Sequence, residues 1–125
     1  MSTEEKVKKI ILNRIEAEFI YIFGSYASGL QNSQSDIDIA FYSKKAYSSY
    51  DIFILAQKLS SELGREIDLV QMKESSTVFQ KEIISKGKII FEKNRLEREK
   101  IENLILKKYI KLNEERKKII DSYEV

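Results

Sequence analysis

Neither cysteine nor histidine occurs anywhere in the 125 residues. Their absence removes thiolate nucleophiles, disulfides, Cys/His zinc sites and imidazole acid–base chemistry in one step. There is no proline either, so nothing in the chain marks a linker. No apolar run is long enough to span a membrane and the N-terminus does not resemble a signal peptide, so a cytoplasmic protein is expected. Charges of both signs are abundant but the formal net charge is only +2, which gives no electrostatic case for bulk nucleic-acid binding. The length suits a single domain.

What the chain does contain is a pair of aspartates in a strand-like run, Ser35-Asp36-Ile37-Asp38-Ile39-Ala40. Side chains on a strand alternate faces, so Asp36, Asp38 and Ala40 point one way while Ile37, Ile39 and Phe41 point towards a core. The two carboxylates are then held side by side, roughly 7 Å apart at the backbone. Like charges so close repel unless a cation joins them. Oxygen ligands of this kind suit Mg²⁺, which keeps several waters and also takes substrate phosphates. In the plainer reading Asp36 is a turn residue and Asp38 an exposed strand residue. That leaves unexplained why two aspartates share one face of a strand, where aspartate is disfavoured. Upstream, the Gly24-Ser25 turn follows a buried-strand run, Phe19 to Phe23. Glycine lets backbone approach a ligand, and N–H groups at a helix start bind phosphate oxygens. Taken alone, such a turn is an ordinary strand-to-helix junction.

Periodicity places the remaining elements. Val7, Ile10, Ile11 and Ile15 predict a helix from about Thr3, as N-cap, to Glu16. Ser25 to Gly29 reads as one helical turn and Leu30 to Ser35 as a loop. Strands are expected at Asp36–Tyr42, Ile67–Met72 and Lys88–Phe91. Helices are expected at Tyr47–Leu63, closed by Gly64, and at Thr77–Lys86, with Thr77 and Gln80 in capping-box spacing and Gly87 as its stop. Asn94 to Tyr123 has no breaker and reads as one long helix whose core-facing stripe is Ile101, Leu104, Ile105, Leu112, Ile119 and Tyr123. Leu106 and Ile110 lie partly off that stripe, as on a helix that buries a second face against a partner. The run Glu114 to Lys118 reads as a solvated face. The fold class is α/β (α+β): a small mixed β-sheet of about four strands flanked by helices, with a long C-terminal helix. Residues 1–93 form the expected core and 94–125 a helix packed on it. Strand pairing does not follow from the sequence. If the strands holding Asp38 and Asp68 are neighbours, three carboxylates converge. Two divalent cations about 3.5–4 Å apart can serve the attacking and leaving oxygens of an in-line phosphoryl displacement. Asp36 and Asp38 can bridge them, and Asp68 can hold one or take the attacking proton.

Gly24-Ser25, ten residues, then Asp36-Ile37-Asp38 resembles the signature of the polymerase-β-type nucleotidyltransferase superfamily. The fuller run GSYASG…SDIDIAFY is similar to its minimal nucleotidyltransferase (MNT) branch. Small members of that branch are antitoxins paired with helical toxins of the HEPN ribonuclease class. Glu66-Ile67-Asp68-Leu69-Val70 resembles the third-carboxylate strand of the family, and Ile83 to Phe91 resembles the segment that closes its core. The resemblance covers roughly residues 1 to 93. It implies a nucleotidyltransferase fold with an ATP and Mg²⁺ site, two ions being expected. Ser25 would hold the triphosphate, Gly24 would permit its approach, and Asp36, Asp38 and Asp68 would be the metal and catalytic carboxylates. The implied reaction moves AMP from ATP to a hydroxyl, a tyrosine of the cognate HEPN-type toxin, and releases pyrophosphate. The chain departs from the pattern at Ser28, where many relatives carry arginine, and at Leu30. Lys44, Lys73 and Lys81 are the basic residues weighed as substitutes at the phosphates. Two other readings stand beside it: an antitoxin acting by contact with a vestigial nucleotide site, and a small-molecule nucleotidyltransferase. Little sequence lies beyond the core, which favours a protein acceptor. A homodimer is compatible with the long helix.

Overall fold

The β-branched and aromatic run Phe19–Phe23 forms β1 at the centre of the sheet of a computed structural model, which describes residues 1–24 and 36–123. Before it comes α1, Thr3–Leu12. After it come β2 at Ile37–Tyr42, α2 at Ser49–Leu63, β3 at Ile67–Gln71, α3 at Thr77–Lys86, β4 at Lys88–Glu92 and α4 at Arg95–Tyr123. The strand order is β3-β2-β1-β4. β1 runs antiparallel to both β2 and β4, and β2 runs parallel to β3. The sheet is therefore mixed, as the sequence implies, and only the β2–β3 pair needs a crossover helix, α2. The expected turn from Ser25 to Gly29 and the loop from Leu30 to Ser35 lie outside the described residues. Among the described residues no helix is long and apolar enough to cross a membrane.

Alternation along the strands sorts the side chains onto two covered faces. Ile20, Ile22, Ile37, Ile39, Phe41 and Leu69 pack with Val7 and Ile11 of α1 and Leu55 and Leu59 of α2. Phe19, Tyr21, Ala40 and Met72 pack with Ile83 of α3 and Ile105 of α4. The face that carries Asp38 is thus also a core, and Ala40 on it is fully buried. Its aspartate end is less covered: Asp38 is only partly buried and Asp68 is exposed. A bulge shifts the β1–β4 register, so that Ile20 faces Phe91 but Tyr21 faces Ile89, with Ile90 extra.

The helix boundaries differ from the sequence expectation in informative ways. Ser2, not Thr3, caps α1, accepting from the Glu5 amide at 3.1 Å. The helix ends at Leu12, and Ile15 and Ala17 are buried beyond it. Ser48 caps α2, because Tyr47 is held elsewhere: its hydroxyl accepts from the Glu16 amide at 2.9 Å. Its backbone N–H donates to the Gln71 side chain at 2.8 Å, tying the start of α2 to the end of β3. Gly64 closes α2 in the expected left-handed conformation, φ +66°. In place of the Thr77/Gln80 box, Ser76 caps α3 and the Gln80 amide donates to the Met72 carbonyl at 2.8 Å. Gly87 follows α3 without left-handed backbone. A Cβ there would meet the Ile83 carbonyl oxygen at 2.5 Å and the Tyr21 ring at 2.9 Å, so glycine serves packing rather than turning.

Most of the expected α4 stripe is not core. Ile101 and Ile105 pack on the second cluster, but Leu104 is 52% exposed, Ile119 59% and Tyr123 84%. The reason is length. The helix has 29 residues, about 43 Å at 1.5 Å each, whereas strands of five or six residues span only about 17–20 Å. Its first half is held by polar contacts as well as by Ile101 and Ile105. The Tyr21 hydroxyl donates to Glu102, while the two Arg98 bonds, to Glu102 and to Glu92 of β4, are both 2.5 Å.

Two outcomes follow from this packing. Gly87→Ala must displace backbone or the Tyr21 ring, and denaturant unfolding should register a loss of about 1–3 kcal/mol. Tyr21→Phe removes one hydrogen bond to a charged partner, for a loss of about 1.5 kcal/mol, read in the same way. Burial first, then the bond to Glu102, raise the Tyr21 hydroxyl above its ordinary 10.0. The native state therefore holds a proton that the unfolded chain releases. The stabilisation is complete below about pH 10 and declines as pH rises beyond it. Tyr21→Phe should flatten that alkaline limb in pH-resolved melts.

Candidate active site

The parallel register between β2 and β3 sets Asp38 directly beside Asp68. Asp36 lies two residues before Asp38, immediately ahead of β2. The condition set by the sequence is met, since the two strands are neighbours, and the three aspartates lie at one end of the sheet, though their carboxylates do not converge on one point. Asp36 and Asp68 are exposed and Asp38 is partly buried. The Asp38 carboxyl is held above its ordinary pKa, first by burial, then by the Asp68 and Asp36 charges. Among the described residues no three acidic side chains close around a common point. The three act on one another as charges without forming a cage. That donor set fits Mg²⁺, which takes one or two carboxylates, keeps waters and completes its shell with substrate phosphate oxygens.

Gly24 ends β1 with φ +73°, a left-handed conformation that glycine adopts without strain. A Cβ built there would overlap the Asp38 carboxylate oxygen. Glycine is therefore required by Asp38 itself, before any ligand is considered. Ser25 lies outside the described residues. Of the basic residues weighed for the phosphates, Lys44 and Lys73 are displaced from the site. Both follow the C-terminal ends of β2 and β3, and Tyr42 at that end is already roughly 13 Å along the strand from Asp38. There Lys73 donates to the Lys44 carbonyl at 3.2 Å. Lys81, on α3, pairs with Glu82 at 3.6 Å and lies over the Tyr109 ring.

Sequence reasoning missed one feature of the site. Phe23 is the strand partner of Asp38 across β1–β2, and its ring meets Phe79 of α3 edge-to-face, with centroids 5.8 Å apart. Phe23 was readable from alternation, being two residues from Tyr21 on the same face. Phe79 was not, because only the docking of α3 brings it there.

With this geometry in hand, similarity to known proteins becomes specific. The family model for polymerase beta nucleotidyltransferases matches residues 5–96. Protein adenylyltransferase MntA of Shewanella oneidensis is 38% identical over 86 residues, which is 68% of this chain and 62% of that protein. The chain thus spans less than two thirds of that curated relative. A chain of a toxin–antitoxin crystal structure with AMP-PNP superposes with a TM-score of 0.87 at 33% identity, covering 98% of both chains. A chain of the complex of tri-AMPylated Shewanella oneidensis HEPN toxin with MNT antitoxin superposes with a TM-score of 0.82 at 31% identity, covering 98% of this chain and 97% of that one. The three aspartates, the glycine that fits against them and the matched span agree: the chain belongs to the polymerase-beta-type nucleotidyltransferase family.

Proposed function

We propose that this protein is an antitoxin that transfers AMP from ATP to a hydroxyl, a tyrosine, of a cognate HEPN-type toxin and thereby inactivates it. The observation that carries the reading is the Asp38–Asp68 pairing with Asp36 beside it, an all-oxygen anionic site at the open end of the sheet. The likeness to MntA and to MNT–HEPN complexes supplies the class of acceptor.

Asp36 and Asp38 would hold Mg²⁺, and Asp68 would complete the set. Bound there, two ions would neutralise the phosphates and stabilise the attacking and leaving oxygens. The chain's own part is positional and acid–base. Gly24 keeps the approach to Asp38 clear, and the turn it opens, with Ser25, would receive the triphosphate. The acceptor oxygen forms a bond to the α-phosphorus, the bond to the β-phosphate oxygen breaks, and pyrophosphate leaves. The hydroxyl proton passes to a carboxylate, for which Asp68, the more exposed of the β2–β3 pair, is assigned. Residues 1–93 are the catalytic unit. The helix that follows docks on it through Ile101 and Ile105 and offers Ile110, Ile119 and Ile120, each more than half exposed, to the toxin.

Intact-mass spectrometry tests the proposal. The protein is incubated with ATP, Mg²⁺ and the product of the adjacent reading frame. Steps of adenylyl mass on that product are expected. No mass change alongside a stable complex would leave neutralisation by contact. Asp38→Asn should lower transfer by about 100-fold or more, since several kcal/mol of charge stabilisation is lost. The same variant should melt higher than the parent in EDTA. A raised carboxyl means that ionised Asp38 destabilises the native state, so the difference grows as pH rises through its titration and vanishes below the ordinary aspartate range. A lower melting point for Asp38→Asn at neutral pH would contradict it.

A further inference from the structure

The aromatic pair beside the carboxylates has no part in the chemistry just described. Phe23 stands opposite Asp38 in the antiparallel register, where facing side chains have Cβ atoms about 4.5–5.5 Å apart. Phe79, braced edge-to-face against Phe23, keeps 38% of its surface exposed. Its backbone is fixed too: the Phe79 amide donates to the Ser76 cap at 3.2 Å. A partly uncovered ring thus stands one aromatic contact, 5.8 Å between centroids, from the strand partner of Asp38, a carboxylate that would hold the metal at the phosphates. Among the described residues, the other exposed aromatic side chains lie elsewhere, Tyr50 and Phe53 on α2 and Tyr123 at the end of α4.

We infer that Phe79, braced by Phe23, is the stacking platform for the base of the nucleotide substrate. The inference rests on the nucleotidyltransferase reading and adds the base subsite to it. A planar base is the ligand whose chemistry fits. It is tethered through its ribose to the phosphate at Asp38, so a platform one ring removed from that carboxylate meets it. Stacking uses the π-face that every base has, so this platform supplies affinity without choosing among bases. Edge recognition, where it exists, must come from other groups.

Equilibrium binding with Mg²⁺ on the full chain tests this, using ATP and inorganic tripolyphosphate as separate probes. Phe79→Ala should weaken ATP roughly 10-fold or more while leaving tripolyphosphate unchanged. Phe79→Leu, which keeps an apolar contact with Phe23 but has no ring face, should do the same and guards against misfolding of the alanine variant. The chain has no tryptophan, so Phe79→Trp creates a single reporter. Its emission should be quenched by ATP, GTP and CTP alike and untouched by tripolyphosphate. Undiminished ATP affinity in Phe79→Ala or Phe79→Leu overturns the proposal, as does equal weakening of both probes. Unchanged tryptophan emission at saturating ATP overturns it as well. A defect confined to use of the protein acceptor, with ATP affinity intact, would also overturn it by assigning the ring to the acceptor. Absence of AMP transfer from every form, with the ATP–tripolyphosphate contrast preserved, would sink the transferase reading and leave the platform standing.

Discussion

The parallel pairing of β2 with β3 is the constraint on which the rest of the molecule depends. It sets two aspartates at the same level of adjacent strands, an arrangement that their own charges oppose. The pairing is imposed from the opposite face. There Ile37, Ile39 and Leu69 are buried against Leu55 and Leu59 of the crossover helix. Each such side chain contributes about 1.5–3 kcal/mol on burial, well above the repulsion between partly solvated carboxylates. The Gln71 side chain completes the arrangement. It bonds both the N–H and the carbonyl of Tyr47, so the crossover starts at a fixed point on β3.

The same strands therefore carry two opposed assignments. One edge of each residue ladder is apolar and stabilises the fold, and the other gathers negative charge at the open end. Gly24 shows how little slack remains there, since the space a methyl group would need is occupied by Asp38. The second core begins immediately behind, at Ala40 and Tyr21, so the charged end is backed by packed side chains. This is the arrangement in which a site stays geometrically defined although it lowers the stability of the fold that holds it.

Much of this was readable beforehand, and the exceptions have physical causes. A continuous β-branched and aromatic run identified β1, and period-two alternation put Asp36 and Asp38 on one face, because a strand has only two faces. Gly64 announced the end of α2 because its left-handed conformation is hard for other residues. The Asp38–Asp68 pairing stayed conditional, since strand order is a long-range property that no local pattern encodes. The α4 stripe misled for a related reason. Leu104, Ile119 and Tyr123 recur with helical spacing, but periodicity reports a face and not the reach of the surface it meets. Capping shifted to Ser2, Ser48 and Ser76 where a neighbouring hydroxyl offered better geometry than the expected start. Phe79 and the Tyr21–Glu102–Arg98–Glu92 network needed tertiary docking to exist at all.

That network has a geometric consequence. It fixes α4 near Arg98 and Glu102, on β1 and β4, while about twenty further residues continue to Tyr123. Ile105 still packs on the second core and Tyr109 lies under Lys81 of α3, so the arm beyond Tyr109 is roughly 21 Å long at 1.5 Å per residue, and a tilt of about 5° moves its tip by roughly 2 Å. Tyr21 and Phe23, the strand partner of Asp38, lie on the same face of β1. The helix is a pointer whose base is seated on the sheet that carries the aspartates, and small angular changes at that base become larger displacements at its tip.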